Sequence, residues 1–146
     1  MADRSVTVKI EGLSDLGKRL SALSADMQGK VARAATAAGA VVIKNAAIRK
    51  APEDTGNLKR NIIAKRLPKS ETTLSSEHIV TVRKGKKTAK QKAAGIRDAY
   101  YASFVEFGTV KMAPQPFLRP AFDENKEKAV QAMKDRLEAR IKKAGA

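Results

Sequence analysis

The chain carries one histidine, His78, and no cysteine. The side chains that most often do nucleophilic, acid–base or metal chemistry are therefore nearly missing. His78 is the only side chain here whose ordinary pKa lets it change charge freely near neutral pH. It stands beside Ile79 in a stretch of strand-like composition. A serine triad would need this histidine together with a Gly-x-Ser-x-Gly elbow, and the sequence has no such elbow. His78 reads as a surface or half-buried strand residue. Glu53 and Asp54 are adjacent in a turn, where neighbours point apart or cap the next element. Acid–base or metal work needs convergent partners instead. Glu106 lies among aromatic residues, so its carboxylate needs a fixed partner, and a structural ion pair is the expectation. Gly85-Lys86-Lys87-Thr88 lacks the upstream glycine of a phosphate-binding loop. No catalytic residue, no cofactor site and no metal site is expected.

Positive charge is the strongest compositional signal. Arg83, Lys84, Lys86, Lys87, Lys90, Lys92 and Arg97 place seven cations in fifteen positions with no acidic residue among them. Such a run can contact several phosphates and release their counterions. No aromatic residue is interleaved, so base stacking is not provided, and sequence-specific reading is not expected. Non-specific contact with a nucleic-acid backbone and a merely solvated loop both remain open. Across the whole chain, 30 basic and 15 acidic residues leave a formal charge of +15. That charge attracts polyanions and resists close self-packing unless it is segregated or neutralised.

The elements that must position these residues follow from periodicity. Val6, Val8 and Ile10 alternate with Thr7 and Lys9, the pattern of a half-buried strand. Ser14 is the expected N-cap of a helix carrying Leu16, Leu20 and Leu23. A second start at Ser24 opens a long helix over 26–50, stopped by Pro52. Its face is rich in alanine, with Gly39 at the middle. A helix lying on a sheet is the simpler reading; a close helix–helix contact is the other. Residues 52–57 read as a turn. Leu58–Leu67 and Glu77–Lys84 read as strands of a hairpin or meander, and about 83–98 as a flexible basic loop without an element. Tyr100, Phe104 and Phe107 fit one face of a short helix, with Gly108 as its left-handed C-terminal residue. Met112–Pro120 holds three of five prolines and reads as an ordered extended segment or loop. A last helix is expected from Pro120 to Lys143, along Phe122, Ala129 or Val130, Met133, Leu137 and Ile141. Glu124–Lys128 and Glu138–Lys142 stand at the favourable helical spacing for ion pairs.

The order β-α-α-β-β-α-α predicts a single α+β domain over residues 1–146: a small antiparallel sheet packed against a long helix, with a C-terminal helix. The core is thin. Alanine supplies 25 residues, whereas Leu, Ile, Val and Phe together number 31 of 146, so partners, most simply copies of the chain itself, are expected to complete it. The N-terminus shows no apolar leader, and the longest apolar run, Ala34 to Ile43, is too short to span a membrane. A soluble protein made in a cytoplasm, with no membrane partner, is the expectation.

Three stretches together resemble the tail-component family of tailed, lambda-like phages. They are Glu11-Gly12-Leu13-Ser14-Asp15-Leu16, Ala51-Pro52-Glu53-Asp54-Thr55-Gly56-Asn57-Leu58-Lys59, and Tyr101-Ala102-Ser103-Phe104-Val105-Glu106-Phe107-Gly108-Thr109 followed by Gln115-Pro116-Phe117-Leu118-Arg119-Pro120-Ala121. The resemblance implies a minor structural protein of siphophage virions that acts in tail completion or head–tail joining. It further implies a ring at the neck, in contact with copies of itself and with other neck and tail proteins, and no catalysis. The location implied is the virion, after assembly in the host cytoplasm. Pro52, Asp54, Thr55, Gly56 and Leu58 carry the family's turn. Tyr101, Phe104, Glu106, Phe107, Gly108, Thr109, Pro116, Phe117, Leu118, Arg119 and Pro120 form the block expected to meet neighbours. Within it, Phe117 and Leu118 can either present apolar anchors or fold back on their own sheet. The basic run is not part of the family's pattern. If a ring forms, that run is the candidate to face packaged DNA. The alternative function, a non-specific nucleic-acid-binding protein, rests on charge alone.

Overall fold

Ser24 starts one of the two longest elements. In the computed structural model, which describes residues 11–53, 56–68 and 76–145, its hydroxyl accepts from the Met27 amide at 3.4 Å. The described residues form eight helices and strands in chain order: α1 Leu13–Ser21, α2 Ala25–Lys50, α3 Asn57–Asn61, β1 Ile62–Arg66, β2 His78–Val82, α4 Ala89–Ala93, α5 Ala102–Phe107 and α6 Leu118–Lys143. Helix α2 ends where Ala51 turns extended before Pro52, because the proline ring disfavours the helical region for its predecessor.

Helices α2 and α6 run antiparallel. Gly39 of α2 faces Met133 and Ala129 of α6, while Lys50 near the end of α2 pairs with Glu124 near the start of α6 at 2.6 Å. The contact rests on small residues. A Cβ on Gly39 would stand 2.6 Å from Met133 Cγ and 3.3 Å from the Ala129 carbonyl oxygen. Val31, Ala35, Ala40, Ala46 and Ala47 share the buried face. So α2 makes the helix–helix contact as well as lying against the sheet, and the sheet-only reading is corrected. By length and mean hydropathy α2 could cross a membrane, yet alanine supplies most of that apolarity and packs α2 against α6.

Among the described residues the sheet is a two-stranded antiparallel pair with Ile62 opposite Val82 and Arg66 opposite His78. It packs on α2, and both strands contribute to one core with Ala46, Ala47, Leu58, Ala102 and Phe117. A second cluster joins Leu16, Val31 and Ile141, flanked by Leu20, Leu23 and Leu137. The α+β class, the small antiparallel sheet on a long helix and the C-terminal helix are all as expected. The strand expected at Val6–Ile10 lies outside the described residues.

Several boundaries are corrected. Gly12 at φ 79° caps α1, and Ser14 sits inside it. Residues 57–61 are helical, so the first strand begins only at Ile62. The segment expected to have no element holds α4, started by a capping box: Gln91 N–H donates to Thr88 Oγ1 at 3.3 Å and Thr88 N–H to Gln91 Oε1 at 3.0 Å. Helix α6 begins two residues before Pro120, and its inward line is Ala121, Asn125, Ala129 and Ile141. Phe122, expected on that line, is nearly half exposed. Glu124 pairs with Lys50 rather than Lys128, whereas the Glu138–Lys142 pair forms at 3.4 Å.

Replacing Gly39 by alanine relieves about 1 kcal/mol of helix propensity but must displace Met133, an overpacking cost of about 1–3 kcal/mol. Urea unfolding should show Gly39→Ala to be destabilising by about 1 kcal/mol, and neutral or stabilising in a Met133→Ala background.

Candidate functional site

A helix start leaves unpaired backbone N–H groups that need acceptors. At α6 those groups are the amides of Phe117, Leu118 and Arg119; the next residue, Pro120, has no N–H to satisfy. Phe117 is the N-cap and offers no capping side chain, and the first turn of α6 holds no acid. The acceptor comes from α5. Glu106 Oε2 accepts from Phe117 N–H at 2.7 Å and from Leu118 N–H at 3.0 Å, and its Oε1 accepts from Arg119 N–H at 3.0 Å. One carboxylate thus serves three amides and complements the positive end of the helix dipole. The ion pair expected for Glu106 is corrected: its fixed partner is backbone.

The ten residues between these partners are held at their turn. Gly108 takes φ 75° and ψ 176°, a region essentially reserved for glycine and distinct from the left-handed helical cap expected there. A Cβ at Gly108 would lie 2.8 Å from Pro114 N and 2.9 Å from Met112 O. Thr109 N–H donates to Met112 O at 2.9 Å, and Gln115 N–H donates to Val105 O at 2.8 Å. The expected ordered segment is therefore a strap folded back on α5.

This bracing divides the expected interface residues. Phe117 is fully buried with Ala102 and Ala121, so it folds back into the chain's own core. Leu118 and Tyr101 are half-buried against the same core. Pro116, Arg119 and Thr109 are exposed, and Pro120 is half-buried. Among the large apolar groups left in solvent here are Tyr100, Phe104, Phe107, Val110 and Met112, with Phe107 81% exposed. Tyr100 stacks edge-on to Tyr101, ring centres 5.7 Å apart.

The turn and this block meet in space. Pro52, Gly56 and Leu58 share a cavity of about 260 Å³ with Tyr101, Val105 and Met112. Gly56 takes φ 74°, and Leu58 is buried; Asp54 and Thr55 lie outside the described residues. Lys59 bonds Glu53 at 2.9 Å and, by that hydrogen bond and its charge, holds the Glu53 carboxyl below the usual carboxylate range.

Two asparagines that pattern reading did not single out for this role clamp the basic segment. Asn57 Oδ1 accepts from Arg97 N–H at 2.8 Å, Asn61 Nδ2 donates to Arg97 O at 2.9 Å, and Asn61 O accepts from Arg83 N–H at 2.7 Å. Asp98 Oδ1 accepts from Gly85 N–H at 3.1 Å. Lys84, Lys86, Lys90, Lys92 and Arg97 are exposed, while Arg83 and Lys87 are half-buried, with Lys87 donating to the Arg83 carbonyl at 3.3 Å. His78 stands elsewhere, its Nδ1 2.9 Å from Thr36 Oγ1, on the hairpin face against α2. Among the described residues no group of three His, Asp or Glu is placed to hold a metal.

Removing the Glu106 carboxylate strands three amides at once. Glu106→Ala should cost about 2–4 kcal/mol in denaturant unfolding, each unsatisfied donor counting about 1–3 kcal/mol before solvent relief. Glu106→Gln, which keeps one acceptor oxygen, should cost less than half of that.

Comparison with known proteins matches residues 14–108 to one family, HK97-gp10-like, described as "Bacteriophage HK97-gp10, putative tail-component". No curated protein and no solved structure matches. The matched span runs from the first turn of α1 to Gly108, and so takes in the Pro52–Lys59 turn, the hairpin and the Glu106 helix. With about two thirds of its length inside that match, the chain belongs to the HK97-gp10-like family of bacteriophage tail components.

Proposed function

We propose that this protein is a tail-completion or head–tail joining subunit. It assembles as a ring at the neck or tail terminus of a siphophage and meets its neighbours through the exposed face of α5. The observation that carries this reading is the pairing of exposure with rigidity. Tyr100, Phe104, Phe107 and Val110 stand in solvent on a helix and strap fixed by Glu106 and Gly108. A cluster of large apolar side chains kept in water is the mark of a protein contact. Groups already fixed in the free subunit lose little further freedom on docking. The thin, alanine-rich core supports the same reading, since neighbouring subunits add the burial that one chain does not reach. Phe117, being internal, supports the face from beneath.

The test uses a phage with a nonsense mutation in this gene, complemented by variants. Phe104→Ser with Phe107→Ser should leave the subunit's unfolding free energy within about 0.5 kcal/mol, as for surface changes generally. Electron microscopy of the lysate should then show separate DNA-filled heads and tails, or tails of abnormal length. Infectious virions at the wild-type level would overturn the assignment of this face.

A second reading, contact with packaged DNA, is favoured by the clamped basic segment. Its exposed cations stand on a segment tied to α3 through Asn57 and Asn61. A ring built from such subunits would present one basic segment per copy to the strand passing through. Lys86, Lys87, Lys90 and Lys92 changed together to Gln should weaken duplex DNA binding and flatten its salt dependence by up to about 3.6 in log–log slope, each phosphate contributing about 0.9. An unchanged slope discards the DNA reading and leaves the assembly reading standing.

A further inference from the structure

Among the described residues, nine large apolar side chains are exposed, and eight of them fall on two surfaces. Leu13, Ile79 and Phe122 line a groove of about 810 Å³, which continues along α6 through Val130 and Met133. Tyr100, Phe104, Phe107, Val110 and Met112 stand on α5 and the segments that flank it. Val41 on α2 is the remainder. The chain thus carries a receiving surface and a set of side chains that reach into solvent, at different places on one molecule. Leu118 borders both the groove and the cleft beside Phe107, so the start of α6 divides them.

We propose that the α5 face of one copy docks into the α6 groove of the next, so that copies join head to tail. This rests on the reading of α5 as the contact face and names what that face meets. A contact between two different patches is heterologous, and repeated heterologous contacts close into a ring when the rotation between copies allows it.

The areas agree. The three exposed rings of the α5 face offer about 400 Å², at roughly 200 Å² for a fully buried aromatic side chain. A standard interface of about 800 Å² per partner is about 57% apolar, and Val110 and Met112 supply most of what the rings leave short. Charge favours the same pairing. Lys84 shares the cleft beside Phe107, and Lys111 is exposed between Val110 and Met112. Glu106, the acid of that cleft, is engaged by three amides. The groove is bordered by the exposed Glu77, and the exposed Glu127 stands one step round α6 from its floor. Lys126 is the cation among the described lining residues. Two α5 faces brought together would instead set Lys84 and Lys111 against their own copies, and like charges in register suppress a wrong pairing.

The absence of native cysteine makes the test direct. Virions of the nonsense phage are complemented by the full chain carrying Lys111→Cys with Glu77→Cys and treated with a short bis-maleimide. Denaturing gels should show a ladder extending beyond dimers, because every copy offers both ends, while either single variant should give no ladder. Adding Phe122→Ser should cut the ladder's yield about tenfold, as for one ring lost from an interface. A yield unchanged by Phe122→Ser would sink the groove assignment. Dimers alone, formed equally by the single Lys111→Cys variant, would overturn the proposal in favour of a two-fold contact between α5 faces. No link between chains would overturn it and leave the groove to another phage protein or to the chain's own residues outside the described ones. The parent reading fails separately: if Phe104→Ser with Phe107→Ser leaves infectivity at the wild-type level, or the protein is absent from virions, both fall. Lost infectivity without a ladder keeps the α5 face and discards the groove.

Discussion

The geometry of the C-terminal half depends on one carboxylate reaching back across the strap. Glu106 is the acceptor for the first three amides of α6, and α6 is the helix against which α2 packs for most of its length. If those amides had water as their partner, the start of α6 would be free to fray. Phe117 would then lose its fixed place in the core, and the strap would lose one of its two anchors. A proline in the third helical position removes the remaining donor, so a single side chain completes the inventory. The arrangement couples α5 to α6 across a connection of only ten residues, and it fixes where the exposed rings of Phe104 and Phe107 stand.

The second constraint is size. Gly39 and the alanines of α2 bring two helices together with little side-chain volume between them, so stability comes from close backbone approach rather than from large buried groups. Such a layer buries modest apolar area for its length. Segregated charge is compatible with that: the cations of the basic segment follow the end of β2, while the ion pairs at Lys50–Glu124 and Lys59–Glu53 tie elements to one another.

What the sequence made legible follows from how local each signal is. Ser24 and Pro52 bound α2 within one residue because capping and proline sterics act over a turn or less. The hairpin was legible in its β-branched runs, but the helical fate of residues 57–61 was not. Asn57 and Asn61 fold them into α3 while bonding Arg97, 36 to 40 positions away, and no periodicity reports such a contact. Phe122 looked inward by spacing, yet Asn125 takes the buried position and bonds the Ala121 carbonyl. Glu106 was recognisable as a residue needing a partner. That the partner would be a helix terminus became visible only once α5 and α6 were placed side by side.

The asparagine clamp separates the basic segment's content from its attachment. Arg83 and Arg97 are gripped through their backbone groups, which any residue type can supply. Between the grips, chain length enters the folding free energy only logarithmically, about 0.6 kcal/mol per doubling. Within such a frame the number of lysines is free to drift, and the segment can be lengthened, shortened or recharged while the domain beneath it keeps its shape. A tail component built this way can change one surface without renegotiating its fold.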